Sequence, residues 1–161
     1  MSTPDAAAAI NEMHRGTWAE RVGLRVLTAT RDGVTAEVEL RDDHRQPHGI
    51  VHGGVYASVI ESVASIGAAL DAMSKGKTVV GLDNHTSFVH AVRSGKLVAT
   101  GTPVTRGRRS QLWDVVLRDE SGATIASGRV RLMVLDPEAD VAGAPIGGGA
   151  ADTVSRSAAV T

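Results

Sequence analysis

The stretch that most constrains this chain runs from His52 to Met73, with the sequence HGGVYASVIESVASIGAALDAM. Two glycines open it. Small residues (Ala57, Ser58, Ser62, Ala64, Ser65, Gly67, Ala68, Ala69) alternate with Val55, Tyr56, Val59, Ile60, Val63, Ile66 and Leu70, so apolar groups fall on every side of a helix. A helix that is apolar all round is buried, in a membrane or in the middle of a protein. Between Gly53 and Leu70 the only formal charge is Glu61. A carboxylate there is costly unless it is paired or has a task. The length is close to the ~20 residues that a bilayer requires. An acid at its centre is expensive in lipid, however, and the many small residues suit close approach by a surrounding backbone. The reading adopted is a central helix wrapped by a sheet, with no membrane.

At 161 residues the chain suits one domain with a real core. Its net charge of −1 is unlike that of a protein that lives on a nucleic-acid backbone. With only Trp18, Tyr56, Phe88 and Trp113 as aromatics, a base-stacking surface is not expected either. The lack of cysteine excludes disulfides, thiolate metal sites and a Cys nucleophile, and fits a cytoplasmic protein. No basic stretch followed by an apolar one opens the chain, so no secretory signal is expected.

Residues 1–20 are Ala-rich, and Pro4 and Asp5 can start a short helix through Ala6 to His14. Residues 22–30 are strand-like, and Asp32-Gly33 signals a hairpin. Val34, Ala36, Val38 and Leu40 alternate with Thr35, Glu37 and Glu39 in a second strand. A polar loop over 41–52 leads to the helix, which Ser74-Lys75-Gly76-Lys77 stops. Strands follow at 78–82 (continuing irregularly to about residue 92), 97–105, 112–118 and 124–135, with turns at 94–95, 107–110 and 119–122. The expected organisation is an N-terminal helical segment over 1–20, one domain over 21–136 and a disordered tail over 137–161. Short consecutive connections make the sheet mostly antiparallel, and the fold class is α+β.

The layout, with Gln46-Pro47-His48-Gly49-Ile50-Val51-His52-Gly53-Gly54, Glu61-Ser62, Ser65, Val79-Val80-Gly81-Leu82 and Gly107-Arg108-Arg109-Ser110-Gln111-Leu112-Trp113, resembles the hotdog-fold acyl-CoA thioesterases. The resembling branch is that of the phenylacetate-pathway, hydroxybenzoyl-CoA and dihydroxynaphthoyl-CoA hydrolases, and the likeness covers roughly residues 20–136. It implies an antiparallel sheet around the long helix and hydrolysis of acyl-CoA thioesters with aromatic or other bulky acyl groups. It also implies an active site at the interface of a homodimer, itself paired into a homotetramer. Coenzyme A enters only as part of the substrate, and no cofactor or metal is expected. Related hydrolases often carry a His near position 88, where this chain has Phe88.

The residues themselves fit this chemistry. The Gly53 amide opens a helix, where free N–H groups and the dipole favour a developing oxyanion. Glu61 is the candidate nucleophile or general base. It lies eight residues on, about 12 Å along the helix, too far to share one carbonyl with Gly53 of the same chain. An antiparallel pair of such helices removes the difficulty. Ser65, at i+4 from Glu61, shares its face. The resemblance, rather than the residue, gives Gln46 the task of orienting the attacking water or the carbonyl, since a loop Gln by itself more often has none; His52 can orient the thioester or support the loop, although a His before a helix is more often a cap or surface group. Arg106, Arg108 and Arg109 around Gly107 suit phosphate recognition, and the resemblance places coenzyme A near this corner, with Val80, Gly81, Phe88 and Ser110 as further contacts. Two rivals are an acyl-CoA hydratase or dehydratase of the same fold, which needs a His–acid pair aimed at the acyl chain, and a noncatalytic acyl-CoA-binding module.

Overall fold

The computed structural model describes residues 5–146. Helix α1 spans Ala7–Met13, and a single helical turn, α2, spans Trp18–Arg21. Strands β1 (Leu24–Thr30) and β2 (Gly33–Glu39) form the first hairpin. Its two-residue loop is Arg31-Asp32, and Gly33 already pairs with Thr30 as part of β2. The hairpin is where the sequence puts it, but the turn is closed by the Thr30 hydroxyl, which accepts from the amides of Asp32 and Gly33 at 3.2 Å.

Helix α3 spans Gly53–Met73 and is followed by β3 (Thr78–Phe88), β4 (Lys96–Arg106), β5 (Ser110–Asp119) and β6 (Thr124–Leu135). All six strands form one antiparallel sheet in the order β1-β2-β4-β5-β6-β3. β3 continues past residue 82, as expected from the sequence, but more regularly and not as far as residue 92. It stays paired with β6 to Phe88, with one bulge between Gly81 and Asp83. Within the stretch expected to be disordered, Asp140–Val141 (β7) pairs with Ala144–Pro145 (β8). Residues 147–161 of that stretch, and Pro4 at the expected helix start, lie outside the described residues.

Helix α3 packs against every strand of the six. Its buried residues recur in pairs every four positions or fewer, from Val55 and Tyr56 through Val59, Ile60, Val63, Ala64, Gly67 and Ala68 to Asp71 and Ala72. This is one helix face. The described residues do not envelop the helix: Ala57, Ser58, Glu61, Ser62, Ser65, Ile66, Ala69 and Leu70 on the other side stay partly exposed. Small residues let the helix lie close to the sheet. A Cβ on Gly67 would stand 2.3 Å from the Trp113 ring, and one on Gly101 of β4 would stand 2.6 Å from Val63.

The outer edge of β1 is covered rather than bare. The Asp5 carboxylate accepts from the amides of Ala7 and Ala29, both at 2.9 Å, and these bonds hold its pKa below the usual carboxylate range. Asn11 makes a reciprocal pair with Val26, donating to its carbonyl at 2.8 Å and accepting from its amide at 2.9 Å. α1 is thereby fixed beside the open face of α3.

The helix carries a second acid, Asp71, so Glu61 is not its only one. Asp71 is 1% exposed. Lys75 approaches it at 2.6 Å, Gln111 donates at 3.1 Å, and Arg106 stands at 3.6 Å. Gln111 in turn accepts from the Trp113 indole at 3.0 Å. Buried charge is retained where it is paired and hydrogen-bonded in this way. Asp71→Ala strips the buried Gln111 amide of an acceptor. Because Lys75 and Arg106 can reach solvent, the expected loss is about 1–3 kcal/mol, read as a lower urea midpoint at unchanged m-value.

Candidate active site

Three groups of residues emerge from this frame. The first is at the start of α3. The loop before it is a tight turn: the Gln46 amide donates to Ile50 O at 2.9 Å and Gly49 N–H to Gln46 O at 2.8 Å, with Gly49 at φ +77°. His52 is the N-cap, its Nδ1 accepting from the Gly54 amide at 2.8 Å. This is the capping role, and it uses Gly54 rather than Gly53. The Gly53 N–H has no acceptor among the described residues. Phe88 closes over it: a Cβ on Gly53 would stand 2.3 Å from the ring, so only glycine lets both occupy this corner. Phe88 also meets Tyr56 edge-on at 5.9 Å. Gln46, His52, Gly53 and Phe88 line one hollow of about 540 Å³.

The second group surrounds Glu61. Asn84 of β3 donates to Glu61 Oε2 at 3.1 Å and to the Ala57 carbonyl at 3.0 Å, while its own carbonyl accepts from Thr86 at 2.6 Å. The carboxylate is therefore held from the sheet as well as from the helix. Ser65 reaches Oε1 at 3.4 Å, a long bond. A Cβ on Gly81 would stand 2.5 Å from Oε1. Gly81 makes room for the carboxylate, and the β3 bulge follows it directly, a position where bulges re-aim side chains. The structure thus ties Gly81 to Glu61, and Val80 is half-buried beside it in β3. Asn84 is the residue that sequence reasoning missed. No local signal marked it, because its partner Glu61 lies 23 residues away on another element.

The third group is the basic corner. Gly107 and Ser110 form a tight β4–β5 turn, Gly107 N–H donating to Ser110 O at 2.9 Å. The three arginines differ. Arg106 is engaged by Asp32 at 2.8 Å and by Asp71 at 3.6 Å. Arg108 and Arg109 are exposed and make no ion pair among the described residues. Among the described residues no cluster of His, Asp and Glu is arranged to hold a metal.

A profile of the thioesterase superfamily matches residues 48–126, the segment that carries the His52–Gly54 turn, Glu61 and Asn84. The Mycobacterium tuberculosis protein Rv1847 is 38% identical over 136 residues, 83% of this chain and 96% of its own length. The chain belongs to the thioesterase superfamily. The 1,4-dihydroxy-2-naphthoyl-CoA hydrolase of Escherichia coli is 28% identical over 79% of this chain and 93% of its own. The crystal structure of thioesterase HI1161 from Haemophilus influenzae superposes with a TM-score of 0.76 at 30% identity, covering 81% of this chain and 90% of that one. The fold is the α+β hotdog fold of these enzymes, and thioester hydrolysis is the reaction class of the family.

Glu61→Gln removes the carboxylate while keeping Asn84 and Ser65 supplied with a polar partner. Thioester turnover is expected to fall about 10²–10⁴-fold with an unchanged unfolding curve. Asn84→Ala frees Glu61 from the sheet and is expected to lower kcat about 10- to 100-fold. Steady-state assays with circular dichroism melts check both, and a Glu61→Gln enzyme with more than a tenth of the original kcat removes Glu61 from the chemistry.

Proposed function

We propose that this protein hydrolyses acyl-CoA thioesters with aromatic or other bulky acyl groups, in a homodimer whose two active sites each take residues from both subunits. One observation carries the reading. Glu61 is held by Asn84 on the open face of α3, while the unpartnered Gly53 amide lies on the same helix about 12 Å away. Neither can serve a single carbonyl with the other inside one chain. The partly exposed face of α3 and the outer edge of β3, unpaired among the described residues, offer a second copy two adjoining surfaces. An antiparallel copy sets Glu61 of one subunit across from Gly53 of the other, and a pair of such dimers makes the tetramer.

At such a site the thioester carbonyl oxygen accepts from the Gly53 N–H, whose place at a helix N-terminus favours negative charge. Glu61 either takes a proton from water as the water oxygen bonds to the carbonyl carbon, or bonds to that carbon itself and is freed by water in a second step. In both routes the C–S bond breaks, its electron pair leaves with sulfur, and the thiolate is protonated to give CoA and the free acid. Gln46 lines the Gly53 hollow, where its amide can orient the water. His52, through its cap to Gly54, keeps the Gly53 N–H open. Arg108 and Arg109, with no partner among the described residues, are the candidates for the CoA phosphates. Arg106 is occupied by acids and stiffens the corner. The name of the Escherichia coli relative, a naphthoyl-CoA hydrolase, supports both CoA and an aromatic acyl group. The setting proposed is the cytoplasm, where CoA esters occur.

Mixing Glu61→Ala protein with protein carrying Gln46→Ala and a bulky replacement of Gly53 tests the shared site. Each homodimer is expected to be inactive. A heterodimer has one intact site and regains up to about half of the activity. Demonstrated subunit exchange with no regained activity rejects the arrangement. Arg109→Ala is expected to raise KM for acyl-CoA more than it lowers kcat, with a smaller effect on acyl-pantetheine. Equal losses on both substrates show a structural role instead.

A further inference from the structure

The half of β3 that reaches Glu61 has a telling burial pattern. From Asp83 to Phe88 only Asn84 and Thr86 are partly buried, and the other four residues are exposed. Two polar side chains, at i and i+2 on one strand face, thus stand where a sheet ordinarily turns apolar groups toward its helix. Thr86 has a single side-chain bond: its hydroxyl donates to Asn84 Oδ1 at 2.6 Å. Opposite Thr86 on β6 lies Gly128. A Cβ there would stand 2.9 Å from the Thr86 hydroxyl oxygen and 2.8 Å from Ile60 Cγ2. The glycine therefore gives the hydroxyl its place between sheet and helix.

The three bonds of Asn84 fix which way its amide faces. The Ala57 carbonyl can only accept, so the NH2 group must face it. The same group donates to Glu61 Oε2, and the amide oxygen is left to the Thr86 hydroxyl. A turned amide would set its oxygen against two acceptors. Donation therefore runs one way, from Thr86 to Asn84 to Glu61, and consecutive bonds of this kind polarise one another. Without the hydroxyl the amide oxygen loses its partner, and the amide can swing away from the helix. Glu61 would then keep only Ser65, at 3.4 Å. The hollow of about 540 Å³ that Glu61 borders under α1 is walled largely by apolar groups such as Ile10, Met13, Ile66 and Leu70. We propose that Thr86 is a positioning residue for the thioester reaction. It acts through Asn84, whose fixed amide ties Oε2 of Glu61 to the sheet and leaves Oε1 the freer oxygen. The inference rests on the hydrolytic role proposed above for Glu61 and adds the residue that controls its orientation.

Thr86→Val keeps the β-branched shape that suits a strand and removes only the hydroxyl. Thr86→Ser keeps the hydroxyl, and Thr86→Ala serves as the hydroxyl-free variant should Thr86→Val not fold. The experiment combines steady-state kinetics on a panel of aliphatic and aromatic acyl-CoA esters with circular dichroism melts and crystal structures of the parent and the variants. Thr86→Val is expected to lower kcat about 3- to 10-fold with KM within about twofold, and Thr86→Ser to retain most of the activity. On top of Asn84→Ala, Thr86→Val is expected to cost less than about twofold, because the route through Asn84 is already cut. In the Thr86→Val structure the bond from Asn84 to Glu61 is expected to be lost. An unaltered kcat in the folded variant, or a loss as large in the Asn84→Ala background as in the parent, overturns the relay while leaving hydrolysis in place. A rise in KM that matches or exceeds the fall in kcat assigns Thr86 to substrate binding and overturns it as well. A parent that hydrolyses none of the esters rejects the hydrolytic reading. The crystal structures then decide the relay: a broken bond from Asn84 to Glu61 in Thr86→Val supports it, and an intact one overturns it.

Discussion

The depth at which α3 lies on the sheet governs the rest of the molecule. That depth is set where Gly67 meets the Trp113 ring, which is fully buried and fixed by its bond to Gln111. Any side chain at position 67 would lift the helix. A lifted helix would move Glu61 away from Asn84, whose amide spans helix and strand. Interiors pack densely enough to transmit such a shift. The same contact links the core to the far end of the helix, since Gln111 also donates to the buried Asp71. Packing at Gly67 and the charge network at Asp71 act together in holding the helix axis.

Around Glu61 the structure spends several residues on one carboxylate. Asn84 donates to it, Thr86 orients Asn84, Gly81 leaves space beside it, and the bulge after Gly81 alters the course of β3 at that point. Asp71, the other acid of the helix, is turned inward, buried and ion-paired. Glu61 stays partly exposed on the helix face turned away from the sheet, beside the hollow under α1. At the other end of the site the His52 cap takes the Gly54 amide and leaves that of Gly53 open. Both features keep polar groups available, at some cost in local stability, a pattern expected where a site is arranged for a ligand.

The long helix, its capped start and its stop at Gly76 were legible because each is local. Apolar residues, an N-cap and a glycine at φ +67° are all near neighbours in sequence. The five hairpin and strand signals outside β3 were equally local. Glu61 stood out for the same reason, as a charge within an apolar run. The second half of β3 was legible only as an irregular continuation, because Asp83, His85 and Ser87 are polar and exposed and the regular ladder there comes from pairing with β6. Asp71 was overlooked since it sits at the end of the apolar run, where an acid next to Lys75 reads as a solvated pair. Only burial against Gln111 and Arg106 distinguishes it.

The sequence by itself determined the elements, the thioesterase-type turn before α3 and the identity of its central acid. These depend on residues within a few positions of one another, where periodicity, capping and turn chemistry act directly. The tertiary structure alone decided which partners those residues meet. It gave Asn84 to Glu61 across 23 residues, gave Arg106 to Asp32 across 74, pressed Phe88 onto Gly53 and left one face of α3 open under α1. Such pairings are fixed by how the strands order themselves in the sheet and how closely the helix lies on it, and neither is written in any single stretch of the chain.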